Sequence, residues 1–260
     1  MPQTDAFSLA ARLRSGQTVY SAWCGLPYPI VAEIAGREGF AAVTLDAQHG
    51  LWDVAAIVAG VAAVRLSGAA PIVRVPVGDY ALASRALDFG AEAIIAPMIN
   101  TRADAQAFAG AAKCPPIGER SWGPHRATML GRIANQNDYL AKANDLTVTL
   151  AMIETRIALD NIEAVAETPG IDGLFLGPSD LSIALSQGRS LDPLSKEVEG
   201  HLDRMVTVAG RIGKVAGAYC HDAQRAVGLA KRGVRFLAIS SDIAFLRAGA
   251  VAQLSTLKVG

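Results

Sequence analysis

The sequence predicts a (β/α)8 barrel, and three observations support this fold class. The chain has 260 residues, which suits one large α/β domain spanning residues 1–260. Short apolar runs alternate with longer, Ala-rich stretches of helical character, as in chains that form parallel sheets. The runs are almost continuously apolar, which is typical of strands covered on both faces. Eight such units match the barrel, and a doubly wound sheet is the alternative.

The predicted elements follow in order along the chain. Strands are expected at residues 18–23, 41–46, 70–75, 92–96, 147–153, 171–176, 214–218 and 235–239. Helices are expected at residues 28–38, 52–67, 79–89, 101–112, 135–143, 156–167, 194–211, 221–231 and 241–257. The Gly- and Pro-rich segment 113–134 interrupts this alternation and predicts a long loop, either functional or mobile. Its Arg120, Trp122, His125 and Arg126 are expected to be able to close over a small anion.

Composition and charge exclude several function classes. Apolar residues make up 51% and charged residues 18% of the chain, as in a globular protein. The 24 basic residues balance the 24 acidic ones and form no basic run, so neither a nucleic acid nor an anionic membrane is an expected partner. No apolar stretch reaches the roughly 18 residues of a membrane-spanning helix. Neither a G-x-G-x-x-G fingerprint after the first strand nor a P-loop motif occurs, so nucleotide binding is not expected.

The cysteines and the N-terminus favour a cytoplasmic location. Cys24, Cys114 and Cys220 are odd in number, far apart and outside any C-x-x-C pair, so they are expected to be reduced structural thiols. Asp5 and the lack of a long apolar stretch near the N-terminus argue against a secretory signal.

Two acidic residues follow predicted strands. Glu154 comes directly after strand 147–153, and Asp180 follows strand 171–176 after a Gly-Pro-Ser turn. Both are therefore expected at the carboxyl end of the barrel, where two carboxylates bind a hard divalent cation or act as an acid–base pair. Alternatively, Glu154 forms an ion pair with Arg156, and Asp180 caps a helix that starts at Leu181. Their common placement favours the metal.

A histidine and an arginine are predicted at the same end of the barrel. His49 lies in the loop after the second strand, and Arg74 lies in the third strand, where a buried guanidinium needs an anionic partner, either structural or a ligand. Asp88 ends a helix, an unfavourable place for an acid, so it is expected to pair with a cation such as His49. This set suits metal-assisted proton abstraction beside a carbonyl. His201 and His221 are interpreted as helix-face residues.

The lysines argue against a Schiff-base mechanism. Such a mechanism needs a lysine that projects from a strand end into the site. Lys214 starts its strand and is therefore expected at the opposite end of the barrel. The others fall in helices or loops, at positions 113, 142, 196, 231 and 258.

From about Ala22 to Ala250 the chain resembles the HpcH/HpaI aldolases, which are metal-dependent, class II pyruvate aldolases. The resemblance rests on the motifs LDAQHG (45–50), PIVRV (71–75), ALDFGA (86–91), IAPM (95–98), PPIGER (115–120), IET (153–155) and GLFLGPSDL (173–181). It implies a barrel whose last helix swaps between partners, in a hexamer built as a trimer of dimers.

The resemblance also implies the ligands of the site. Mg, Mn or Co would be bound by Glu154 and Asp180, with pyruvate chelating through its ketone and carboxylate. Backbone amides near Ser179 and Asp180 would hold the carboxylate, which agrees with the preference of a helix N-terminus for an anion. The substrate-binding turn would consist of Gly177, Pro178 and Ser179.

Three further roles follow from the same resemblance. Arg74 would stabilise the enolate oxygen, and His49 paired with Asp88 would manage proton transfer. Trp122 is expected to contact the substrate.

The implied activity is the reversible aldol cleavage of 4-hydroxy-2-ketoacids to an aldehyde and pyruvate, or a similar 2-ketoacid such as hydroxypyruvate. Two alternatives remain open. A CoA-ester lyase of the same superfamily would need a basic surface for the CoA phosphates, and no such cluster is present. A non-catalytic ketoacid-binding protein is slightly favoured by Gln48 and Met152, which stand where the family usually has an acid and a glutamine. Ser121 replaces a usual Gly.

Overall fold

The eight strands close into one parallel barrel in the computed structural model, which describes residues 7–257. They are Val19–Cys24 (β1), Ala42–Asp46 (β2), Ala70–Arg74 (β3), Ala93–Ala96 (β4), Val148–Ile153 (β5), Gly173–Leu176 (β6), Val215–Cys220 (β7) and Phe236–Ile239 (β8). Each strand pairs in parallel with the next, and β8 returns to β1 with Val19 opposite Phe236. The predicted barrel is confirmed, and every predicted strand is present within two residues of its expected ends. Asp5 and Lys258 lie outside the described residues.

Thirteen helices are present within residues 7–257. They are Leu9–Arg14 (α1), Pro29–Arg37 (α2), Val54–Ser67 (α3), Tyr80–Phe89 (α4), Arg102–Ala112 (α5), His125–Leu130 (α6), Gln136–Leu146 (α7), Arg156–Asp160 (α8), Ile162–Ala166 (α9), Pro178–Leu185 (α10), Lys196–Arg211 (α11), Ala223–Lys231 (α12) and Asp242–Leu257 (α13). The predicted helix 156–167 is divided at Asn161 into α8 and α9. The short helices α1 and α6 were not predicted, and α10 begins three residues before Leu181.

The interior of the barrel is closed at its amino end. Leu9 and Leu13 of α1 are buried in one cluster with inward-facing strand residues such as Ile72, Leu150 and Phe236. The backbone N–H of Leu9 donates to Glu92 Oε2 at 2.8 Å, just before β4. Full burial of a leucine contributes roughly 1.5–3 kcal/mol, so α1 is held firmly across this end. In the part of the chain that the structure describes, the interior is therefore accessible only from the carboxyl ends of the strands.

Residues 113–134 do not form a loop over the carboxyl end of this chain. Lys113 Nζ donates to Thr147 O at 2.7 Å and to Asp172 Oδ2 at 2.6 Å, so the segment departs from the amino ends of β5 and β6. Arg126 Nη1 then donates to Val58 O of α3 at 2.9 Å. The segment, which includes α6, therefore packs outside the helix layer and not over the barrel mouth.

The last helix leaves much of its apolar surface uncovered. Asp242 is the buried residue of α13 among those described, and its carboxylate accepts from Gly25 N at 3.0 Å and Leu26 N at 2.9 Å. Along the rest of the helix, Leu246 is 68% and Leu254 is 55% exposed. The helix is thus anchored at its first residue and only loosely packed on its own barrel.

The structure also bears on the predictions about the cysteines and about membrane-spanning helices. Cys24, Cys114 and Cys220 are free and buried, as expected of structural thiols. Within the described residues, the helices are either too short or too polar to cross a membrane.

Candidate active site

A cavity of about 280 Å³ opens at the carboxyl end of the barrel. Its lining comes from strands of the barrel and from the segments that follow β2, β6 and β7. The lining residues are Trp23, His49, Arg74, Met152, Phe175, Gly177, Pro178, Ser179, Asp180, Tyr219 and His221. The structure therefore brings together His49, Arg74 and the predicted carboxylate-binding turn.

Glu154 leaves β5 as a buried carboxylate beside this cavity. Its Oε1 accepts from the backbone N–H of Met98 at 2.8 Å, and Met98 holds a left-handed backbone conformation with φ of 55°. Thr155 caps α8 by accepting from Ala158 N at 3.0 Å, which fixes the chain where Glu154 emerges. The ion pair with Arg156 is not formed, because that guanidinium bonds to the carbonyls of Ala184 and Leu185.

Asp180 lies in the first turn of α10 and does not cap the helix. The N-cap is Gly177, which offers no side chain to the free N–H groups of this turn. Ser179 and Asp180 are the second and third helical residues, so their backbone N–H groups have no partner within the helix. Both the carboxylate of Asp180 and these donors are therefore available to a ligand.

The two acids fit a divalent cation. Glu154 is 2% exposed, and its Oε2 is buried without a hydrogen-bond partner among the described residues. A buried oxygen in that state costs roughly 1–3 kcal/mol, more when charged, unless a ligand satisfies it. A Cβ at position 177 would collide with this oxygen, so the glycine leaves the space next to it open. Oxygen ligands suit Mg or Mn. A cation held by these two carboxylates would keep further coordination positions for solvent or substrate.

Metal binding is expected to depend on the protonation of Glu154. Burial, with added repulsion from Asp180, raises the pKa of the Glu154 carboxyl to about 7 in the metal-free protein. Below pH 7 a cation must displace that proton, so the Mn affinity should fall about tenfold per pH unit from about pH 7 to about pH 5.5. Calorimetric titration of the metal-free protein at a series of pH values measures this, and a flat profile would contradict it.

The stability of the metal-free protein should change in the same pH window. Because the pKa of Glu154 is raised on folding, the folded chain holds more protons than the unfolded chain between its ordinary value of 4.5 and about 7. The free energy of unfolding should therefore fall as pH rises through this range. Glu154→Gln, which cannot ionise, serves as the matched control and should lose that slope.

Arg74 is held in place by Asp46, the last residue of β2. Its Nε donates to Asp46 Oδ1 at 2.8 Å and its Nη2 to Oδ2 at 2.6 Å, and the guanidinium lies 4.7 Å from the ring centre of Trp23. Burial alone would raise the pKa of Asp46, but the hydrogen bonds and charge of Arg74 lower it below its ordinary value. Only two of the five N–H donors of Arg74 are used by Asp46, so others remain for a ligand in the cavity.

The same carboxylate fixes the turn that carries His49. Asp46 Oδ1 also accepts from Gln48 N at 3.0 Å and His49 N at 3.3 Å. The His49 side chain is exposed at the cavity rim. Gln48 Oε1 is buried without a hydrogen-bond partner among the described residues. Asp46 thus positions a guanidinium and an imidazole, a role that the sequence did not reveal.

Asp88 and Trp122 do not reach the cavity of their own chain. Asp88 lies near the C-terminus of α4, and its Oδ1 accepts from Arg120 Nη2 at 2.5 Å. The sequence therefore predicted the need for a cation correctly, but within one chain this cation is Arg120 and not His49. Trp122 lies on the outer segment, where its Nε1 donates to Gln136 Oε1 at 3.1 Å.

Sequence reasoning missed Tyr219 and His221. Tyr219 lies within β7, which runs two residues past its predicted end, and His221 follows the strand instead of lying on α12. The interpretation of His221 as a helix-face residue is therefore wrong. The available signal was the one that identified His49, a polar residue just after an apolar strand.

Comparison with known proteins gives a consistent result. The family model described as HpcH/HpaI aldolase/citrate lyase matches residues 20–248. A hydroxypyruvate/pyruvate aldolase of Rhizorhabdus wittichii is 37% identical over 235 residues, which cover 90% of this chain and 92% of that protein. A 4-hydroxy-2-oxovalerate aldolase of Novosphingobium aromaticivorans is 37% identical over 243 residues, which cover 92% of this chain and 90% of that protein.

Comparison with solved structures indicates the same family. The crystal structure of an HpcH/HpaI aldolase from Desulfitobacterium hafniense matches with a TM-score of 0.88 and 26% identity, covering 96% of each chain. The match of the family model extends over most of the barrel, from β1 into α13. This chain therefore belongs to the HpcH/HpaI aldolase/citrate lyase family.

Proposed function

We propose that this protein is a metal-dependent aldolase that cleaves 4-hydroxy-2-ketoacids to an aldehyde and pyruvate, or a similar 2-ketoacid such as hydroxypyruvate. Membership of the family makes it a carbon–carbon lyase, and the names of its relatives support ketoacid substrates. The observation that carries the proposal is the buried, unpartnered Glu154 Oε2 beside the free carboxylate of Asp180.

Glu154 and Asp180 would hold Mg, Mn or Co. A bound cation would supply Lewis acidity, which lowers the barrier to proton removal beside a ketone. The free N–H groups of Ser179 and Asp180, at the start of α10, bind the ketoacid carboxylate. Arg74, preset by Asp46, donates to the oxygen that gains charge as the enolate forms.

His49 is placed to move the proton. Its side chain stands at the rim of the cavity, and its backbone is tied to the same carboxylate as Arg74. In cleavage, the 4-hydroxyl proton leaves as the C3–C4 bond breaks, and the electron pair of that bond passes to C3 to form the enolate. A proton then returns to C3 to give the ketoacid methyl group.

A second copy of the chain would complete the site. Asp88 can meet His49 only if it comes from another molecule, because within one chain it faces outward and binds Arg120. Trp122, 41% exposed, lies on segment 113–134, whose Arg120 binds Asp88, and would arrive with it. The uncovered apolar surface of α13 supports the same arrangement, in which last helices are exchanged within a hexamer of three dimers.

The structure gives less support to the alternatives. Among the described residues, the cavity lining includes no lysine that could form a Schiff base. Lys113 is buried, which lowers its pKa, but its Nζ is occupied by Thr147 O and Asp172 at the amino end of the barrel. A CoA-ester lyase would turn over thioesters in preference to free acids, which a direct substrate comparison tests.

Proton exchange at pyruvate tests the proposed function without an aldehyde. The protein is stripped of metal, mixed with pyruvate in deuterated water, and followed by NMR as Mg or Mn is returned. Loss of the methyl proton signal is expected only after metal is added. Binding of pyruvate without exchange under any metal would instead favour a non-catalytic ketoacid-binding protein.

A further inference from the structure

One wall of the cavity has no part in the roles proposed so far. The ketoacid side is formed by Arg74, the two acids and the turn after β6. Another wall comes from β7 and the turn that follows it, through Tyr219 and His221. An aldehyde that meets the ketoacid at its methyl carbon must lie against the wall that the ketoacid leaves free.

This wall is a stack of rings with polar atoms at its edge. The Tyr219 ring meets Trp23 edge-on, with centroids 5.6 Å apart and an interplanar angle of 82°. The His221 ring in turn meets Tyr219 at 5.3 Å and 84°. Each ring thus fixes the next, and the wall presents apolar surface that ends in an exposed imidazole.

The polar atoms of the wall are free to bind a ligand. Neither the Tyr219 hydroxyl nor the His221 imidazole hydrogen-bonds to another described residue. Burial raises the pKa of Tyr219, so its hydroxyl stays protonated and can donate at neutral pH. An imidazole nitrogen can donate or accept, depending on its tautomer.

We infer that Tyr219 and His221 form an acceptor subsite that selects aldehydes carrying a hydroxyl group on the carbon next to the carbonyl. The inference rests on the proposed function and adds the class of aldehyde to it. Such a molecule places its carbon against the rings and its hydroxyl between the two free polar groups. An aldehyde with a methyl group in that place would leave both groups unpaired, and a site built for a hydroxyl rejects such an analogue.

The surrounding charges favour a hydroxyl over a carboxylate. Asp222 directly follows His221, and its carboxylate accepts from Arg225 N at 2.7 Å. Arg225 lies on α12 and Arg232 directly follows this helix, and Glu199 engages both guanidinium groups. Neither this carboxylate nor these arginines line the cavity, and Arg74 is assigned to the ketoacid. An anionic aldehyde would therefore find no further arginine or lysine among the described residues that line the cavity.

Two aldehydes of equal size test the subsite. Glycolaldehyde and propanal differ by a hydroxyl in place of a methyl group, and their kcat/KM values are measured with pyruvate and metal at equal concentrations of free aldehyde. The ratio of glycolaldehyde to propanal is expected to fall about three- to tenfold in Tyr219→Phe and in His221→Ala, the loss of roughly one hydrogen bond. His201→Ala, on α11, is the control and should keep the wild-type ratio.

The outcomes distinguish failure of the proposed subsite from failure of the proposed function. An unchanged ratio in both variants overturns the subsite, and so does a larger loss with glyoxylate than with glycolaldehyde, which would indicate an anion site. Pyruvate exchange in the wild-type protein reports the proposed function on its own. If neither exchange nor turnover of any aldehyde occurs, the proposed function fails and the subsite with it.

Discussion

Glu154→Gln and Asp180→Asn are each expected to lower pyruvate proton exchange by about 10³-fold. Loss of Lewis-acid stabilisation is worth several kcal/mol, and about 1.36 kcal/mol corresponds to a factor of ten. Each change removes one charge but keeps the shape of the side chain, and in Glu154→Gln the amide oxygen can still accept from Met98 N. Mn affinity by calorimetry and exchange by NMR should fall together, because the same oxygens serve both.

The double variant sharpens this test. Residues that act as one unit do not lose activity additively, so Glu154→Gln with Asp180→Asn should be little worse than either change alone. Glu163→Gln, on the surface of α9, is the matched control for the loss of one carboxylate. Exchange within about tenfold of wild type in both single variants would show that these acids do not hold the metal.

Arg74→Met is expected to lower turnover by about 10²–10³-fold, or about 2.7–4 kcal/mol, as for loss of one oxyanion donor. The same change leaves Asp46 buried without its partner, which costs roughly 3–5 kcal/mol of stability. Melting temperature and kcat are therefore measured on the same samples. The two effects have different causes, and a second substitution separates them.

Arg74→Met combined with Asp46→Asn removes both charges of the pair. Stability should recover in part, because no buried carboxylate is left unpaired, whereas turnover should stay low. Recovery of turnover in this double variant would mean that Arg74 serves the fold and not the reaction. The pair thus offers an internal control for the role of the arginine.

Features that depend on local pattern could be predicted from the sequence. The strands are buried on both faces, so their apolar runs are distinct, and parallel closure then places the residue after each run at one end. This reasoning was sufficient to assign Glu154, Asp180, His49 and Arg74 to the carboxyl end of the barrel. It failed for Tyr219 because β7 runs two residues past its predicted end, so that Tyr219 was not recognised as a strand residue facing the cavity.

Features that depend on the path of the chain could not be predicted. Nothing local shows that segment 113–134 turns outward, because that course is set by Lys113 and its bonds to residues far along the chain. Asp88 consequently meets Arg120 in its own molecule. The helix α6 is short and lies among Gly and Pro residues, so its six residues give too weak a periodic signal.

The closure of the amino end by α1 has a consequence for the order of events in catalysis. With that end blocked, every molecule must enter and leave through a single mouth. Glu154 and Arg74 are buried below it, whereas His49 and His221 stand exposed at its edge. Under the proposed function the ketoacid sits beneath the aldehyde, so the aldehyde enters last and departs first, and the kinetics follow a compulsory sequence.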